Sequence, residues 1–144
     1  MEYSKQGLAL TEEFESCRLT AYWDDLGKVW TIGWGTTGPD IVEGLEWTQN
    51  QADTALVTRY VAAESTVNRL VTVQLTQGEF DALCDFEYNA GGGALADSTM
   101  LKLINAGDFT NASLEFDKWD HAGGKVVAGL LRRREAETQE FTNG

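Results

Sequence analysis

The chemistry most accessible to this sequence is that of two carboxyl groups acting on opposite sides of one bond. Glu15 falls in the last turn of a segment that begins at Ser4 and has the pattern of a helix. A carboxylate at the negative end of a helix dipole is disfavoured, and partial burial would disfavour it further. Such a group keeps its proton closer to neutral pH and suits a general acid. Asp24 gains meaning from its neighbours. If Leu26-Gly27 is the tip of a hairpin, Asp24 faces Val29 and Tyr22 faces Thr31, and side chains alternate faces with period two. Tyr22, Asp24 and Thr31 then share one face, while Asp25 projects from the other. A carboxylate and a hydroxyl on one face, beside the helix bearing Glu15, could hold a water molecule. That is the arrangement of an inverting glycosidase, in which one carboxyl protonates the leaving oxygen and the other activates water.

The elements that must position these groups are marked by their punctuation. Ser4 is a good N-cap for a first helix ending at Glu15. Residues 21–24 and 29–33 alternate like strands around Asp25-Leu26-Gly27-Lys28, where Gly27 is expected to permit the tight turn. Thr48-Gln49-Asn50-Gln51 and Thr76-Gln77-Gly78-Glu79 are capping boxes, and the first should open a long helix. Asn89-Ala90-Gly91-Gly92-Gly93 should break the chain before Ser98 caps another helix that ends at Gly107. A further helix is expected from Thr110 to Gly123-Gly124, and a last one from about Val127 to Phe141. The result is an α+β chain, with a small sheet lobe over residues 17–47 and helical segments over 1–16 and 48–144. With no repeat or linker-like tract, residues 1–144 are expected to form one domain with a cleft between the lobes.

Composition narrows the partners. A formal charge of −12 argues against nucleic acid, which needs a basic surface, and predicts poor steering toward anionic substrates at low salt. The one basic cluster, Arg132-Arg133-Arg134, is expected to make helix-surface links with Glu135 and Glu137, with at least one arginine turned inward. Cys17 and Cys84 show neither a Cys-x-x-Cys pattern nor a nearby His set, so two buried free thiols are expected. His121 is the only histidine and is expected at the surface, and no metal site or cofactor is indicated. The N-terminal residues lack the apolar stretch of a signal peptide, and no segment approaches the length of a membrane span, so the chain is expected to remain in the cytoplasm of the cell that makes it.

The run Phe14-Glu15-Ser16-Cys17-Arg18-Leu19-Thr20-Ala21-Tyr22-Trp23-Asp24, followed by Val29-Trp30-Thr31-Ile32-Gly33-Trp34-Gly35-Thr36-Thr37, resembles the active-site segment of phage-type lysozymes, glycoside hydrolase family 24. The resemblance continues in Phe80-Asp81-Ala82-Leu83 and Asn89-Ala90-Gly91, and ends in the run from Gly123 to Glu137. It covers essentially the whole chain. It implies a lysozyme-like fold and catalytic roles for Glu15, Asp24 and Thr31, with Tyr22 and Asn89 as candidate substrate contacts. It further implies an endolysin that hydrolyses the β-1,4 bond between N-acetylmuramic acid and N-acetylglucosamine in peptidoglycan. Such an enzyme would act as a monomer without cofactor, and would need a holin to pass from the host cytoplasm to the periplasm and wall. Two positions depart from the family pattern. Ser16 stands where a glycine usually follows the glutamate. The threonine commonly lies six residues after the aspartate, whereas Asp24 to Thr31 is seven and Asp25 would restore six. The shared face and the nine-residue step from Glu15 both favour Asp24 over Asp25.

Overall fold

Ser4 begins the ordered architecture as expected. In the computed structural model, which describes residues 1–122 and 124–144, its hydroxyl accepts from the Gly7 amide at 3.1 Å and caps α1, Lys5–Glu15. Gly7 is there because α1 lies directly on a helix bearing Asp81: a Cβ on Gly7 would stand 2.5 Å from the Asp81 Cγ. Ser16 ends α1 with φ at +55°, its amide returning to the Glu12 carbonyl at 3.1 Å. The residue that departs from the family's glycine thus sits in backbone space that side chains disfavour.

The hairpin follows: β1, Arg18–Asp24, pairs antiparallel with β2, Val29–Gly33. Its register is Asp24 to Val29, Trp23 to Trp30 and Tyr22 to Thr31, with an irregularity between Arg18 and Tyr22. The turn differs in one respect from expectation. Lys28, not Gly27, takes the left-handed conformation (φ +54°), and its amide closes on the Asp24 carbonyl at 2.7 Å. Gly27 instead leaves room for the Asp24 carboxylate, since a Cβ there would lie 2.9 Å from Asp24 Oδ2 and the side chain would have to shift. The strand's outer edge is met by residues 45–47, with Ala21 donating to the Leu45 carbonyl and Trp47 to the Leu19 carbonyl, each at 2.8 Å.

Both capping boxes form. Thr48 and Gln51 open α2, Gln49–Leu70, and Thr76 and Glu79 open α3, Gln77–Ala90. At 1.5 Å per residue α2 runs about 33 Å. Helix α3 is the centre of the fold, with every residue from Phe80 to Tyr88 buried. Around it the core gathers Val67, Leu95, Met100, Ile104, Phe116 and Phe141. A second cluster of Leu56, Tyr60 and Tyr88 takes in Leu8 and Trp34, and so ties α1, α2 and α3 to the β lobe.

The middle of the chain departs from the sequence expectation. Gly91 breaks it (φ +95°), but Gly92 and Gly93 open a short α4, Gly92–Asp97, that fully buries Leu95. Ser98 caps α5, Thr99–Asn105, as expected. The single helix expected from Thr110 is instead α6, Phe109–Ser113, capped by Asp108, and a 3-10 turn, Phe116–Trp119. A small second hairpin follows, β3, His121–Ala122, with β4, Lys125–Val126. Of the expected Gly123-Gly124 stop, Gly123 lies outside the described residues. The last helix, α7, spans Ala128–Asn143. Cys84 is buried, but Cys17, expected to be buried, is only half-buried, and both thiols are free. His121 is exposed and sits 2.5 Å from Asp120.

Candidate active site

The end of α1 delivers Glu15 to a cleft of about 470 Å³ that Tyr22, Asp24, Thr31 and Asn89 also line. All five sequence candidates therefore meet in one place. Asp25, by contrast, is exposed in the hairpin turn and lines no part of the cleft. The cleft continues past Glu15 and Asp24 along the first turn of α7, toward Val127, Leu130 and Arg132.

Glu15 is 14% exposed, and its Oε1 accepts from Arg133 Nη1 at 2.5 Å. Its pKa is raised above the ordinary glutamate value. Burial is the main cause and Arg133 opposes it, while the negative charges of Asp85 and Asp24 add to the rise. The turn after β2 closes over it. Gly33 and Gly35 both have positive φ, and a Cβ on Gly35 would collide with Glu15 Oε2. Tyr88 holds that turn by donating its hydroxyl to the Trp34 carbonyl at 2.6 Å.

Asp24 is half-buried, and its Oδ1 accepts from the Leu26 amide at 3.1 Å, which fixes the carboxylate at the mouth of the turn. Thr31 is buried at the cleft floor, its hydroxyl donating to the Val29 carbonyl at 3.3 Å. Tyr22 lies under the Arg18 guanidinium, 4.2 Å from the ring centre. Burial, with Asp24 and Glu15 nearby, raises its phenol pKa. Asn89 is held through its carbonyl oxygen, which accepts from Arg134 Nη2 at 2.8 Å. Its amide NH2 makes no hydrogen bond among the described residues.

Sequence reasoning did not place the charges behind this cleft. Arg133 and Arg134 both turn inward, and Glu137 is fully buried rather than on the helix surface. Arg134 Nη2 donates to Glu137 Oε2 at 3.0 Å. Arg133 Nε and Nη2 donate to Asp85 Oδ2 and Oδ1 at 3.0 and 2.9 Å, and Thr11 donates to Asp85 Oδ1 at 2.5 Å. Burial works against the Asp85 charge, but Arg133 and the hydrogen bonds from Glu137 and Thr11 outweigh it and hold the carboxyl at about 2. Glu137 is raised well above the usual range by burial and the neighbouring Asp85 charge. Across the cleft, Arg59 reaches the end of α3 and pairs with both Glu87 oxygens at 2.9 and 3.0 Å. Three adjacent arginines and a Gly-x-Gly turn were the available signals. Their partners, Glu15 and Asp85, lie 118 and 48 residues from Arg133.

The sequence model of one family, described as phage lysozyme, matches residues 12–137. An endolysin of Bacillus phage B103 is 40% identical over the whole chain, and the chain spans 55% of that relative's length. An endolysin of Acyrthosiphon pisum secondary endosymbiont phage 1 is 39% identical, with 98% of each chain covered. Among solved structures, the muramidase domain of SpmX from Asticaccaulis excentricus superposes with a TM-score of 0.88 at 34% identity, covering 99% of both chains.

Proposed function

The chain belongs to the phage lysozyme family, and from that footing we propose that it is an endolysin that hydrolyses peptidoglycan at the β-1,4 bond between N-acetylmuramic acid and N-acetylglucosamine. The observation that carries this reading is the largely buried Glu15, in surroundings that raise its pKa, in one cleft with Asp24 and Thr31.

The step balances as follows. The Glu15 carboxyl gives its proton to the glycosidic oxygen as the bond from that oxygen to the muramic C1 breaks. Asp24 takes a proton from a water positioned with the help of Thr31, and the water oxygen bonds C1 from the opposite face. Glu15 leaves the step ionised and Asp24 protonated, and solvent exchange resets both. Asn89 offers its amide donors, and Tyr22 an aromatic edge, to the sugars. Access to the wall through a holin lesion, passage from host cytoplasm to periplasm and action as a monomer belong to the same proposal. Wall digestion in ¹⁸O-water tests the chemistry: hydrolysis places the label on the new reducing end. An unlabelled anhydro product would instead assign a lytic transglycosylase. Undigested wall, with the protein folded, would assign a silent binder.

A further inference from the structure

Arg133 and Glu15 make an awkward pair for acid catalysis, because a buried guanidinium at 2.5 Å favours the ionised carboxylate. The structure holds a counterweight. Asp85, fully buried on α3, takes two of the three Arg133 nitrogens that make contacts, Nε and Nη2, and leaves Nη1 to Glu15. The same carboxylate accepts from Thr11, one turn before Glu15 on α1. It therefore ties the helix carrying Glu15 to the helix carrying Arg133. We propose that Asp85 is a positioning residue for the general acid: it fixes the guanidinium so that one nitrogen reaches Glu15, and cancels its charge so that Arg133 orients Glu15 without claiming its proton.

The proposal rests on Glu15 being the general acid. Other groups around Glu15 are Arg133 and Arg132 from α7, with Glu137 behind Arg133, Asp85 and Tyr88 from α3, Tyr22 and Asp24 from β1, Glu13 from α1 itself, and Arg59 from α2 at the far wall. Of the anions among these, only Asp85 also grips Arg133 on two nitrogens. Asp24 acts across the open cleft. Glu137 is raised well above the usual carboxyl range and has its closest cation contact with Arg134.

Asp85→Asn keeps the shape and one acceptor oxygen but removes the charge. The Arg133 charge then falls on Glu15 alone, and the Glu15 pKa drops. The experiment is a carboxyl-carbon NMR titration of the full chain, wild type and Asp85→Asn, beside the pH profile of kcat/KM on a soluble muropeptide oligomer. The expected result is a Glu15 pKa lowered by about one unit, with the alkaline limb of the profile moving down by the same amount. A purely structural role would lower activity at every pH and leave the limb in place, which overturns the proposal. An unchanged Glu15 pKa overturns it as well. A lowered Glu15 pKa with an unmoved limb overturns the general-acid reading itself. Should the variant not fold, the wild-type titration decides. Asp85 must remain ionised at pH 4, and an Asp85 that titrates with the surface carboxylates ends the proposal.

Discussion

Gly35 leaves to Glu15 the space that a methyl group of its own would occupy. A Cβ built on Gly35 falls on Glu15 Oε2, and φ at this residue is +87°. The proposed acid is thus pressed against the backbone of the Gly33–Gly35 turn, which Tyr88 holds through the Trp34 carbonyl.

Gly35→Ala should therefore cost twice. Positive φ alone penalises a side chain by about 1–3 kcal/mol, and the methyl must displace the carboxyl. Thermal melts should show the first effect, and wall-clearing rates of the folded variant should fall at least tenfold from the second. A variant with unchanged activity would mean that Glu15 works from another position.

Glu15→Gln should lower activity by about 10²–10⁴-fold, since an amide cannot donate the proton. Its stability has a sign that can be worked out. The folded-state pKa of Glu15 is raised, so its favourable contribution is complete below the unfolded pKa and is lost as pH rises through the folded one. The variant has no such loss, so its Tm relative to wild type should improve from pH 4 to pH 8. A Tm difference that is flat or declines with pH would show that the Arg133 contact dominates and Glu15 is ionised throughout.

Asp24→Ala should be far more damaging than Asp25→Ala, because only Asp24 lines the cleft with Thr31. Parallel kinetics on purified peptidoglycan check this. Equal losses, or the reverse order, would move the water-activating role to Asp25.

Ser16→Gly should stabilise the protein by about 1 kcal/mol by relieving the +55° φ at the end of α1, while leaving activity within a factor of two. Chemical denaturation measures the first and turbidity clearing the second. A destabilised variant would show that the Ser16 side chain makes up for its backbone.

The hairpin register was legible because period-two alternation and a short turn leave few alternatives, and the capping boxes marked α2 and α3 from four residues each. The short α4 was not legible. Two consecutive glycines are poor helix formers, and it is tertiary burial of Leu95 that holds them in a helix. Thr110 to Gly123-Gly124 read as one helix because the β3–β4 pairing is only two residues deep and leaves almost no periodic trace. Glu15, Asp24 and Thr31 could be found in local patterns, and Tyr22 and Asn89 as substrate contacts through the family resemblance. Asp85 could not: it is one of four acids on α3, with Glu79, Asp81 and Glu87, and nothing local sets it apart until Arg133 is folded onto it.

Helix α3 is packed on every side from Phe80 to Tyr88, yet the same turns supply Asp85 and Tyr88 to the site. Such a helix has no idle face on which sequence can drift, since each change disturbs either the core or the wall of the proposed active site. If the proposed function holds, adaptation to a different cell wall would have to be written on the exposed positions of the hairpin, the outward side of α2 and the first turn of α7, where substitution leaves the core untouched.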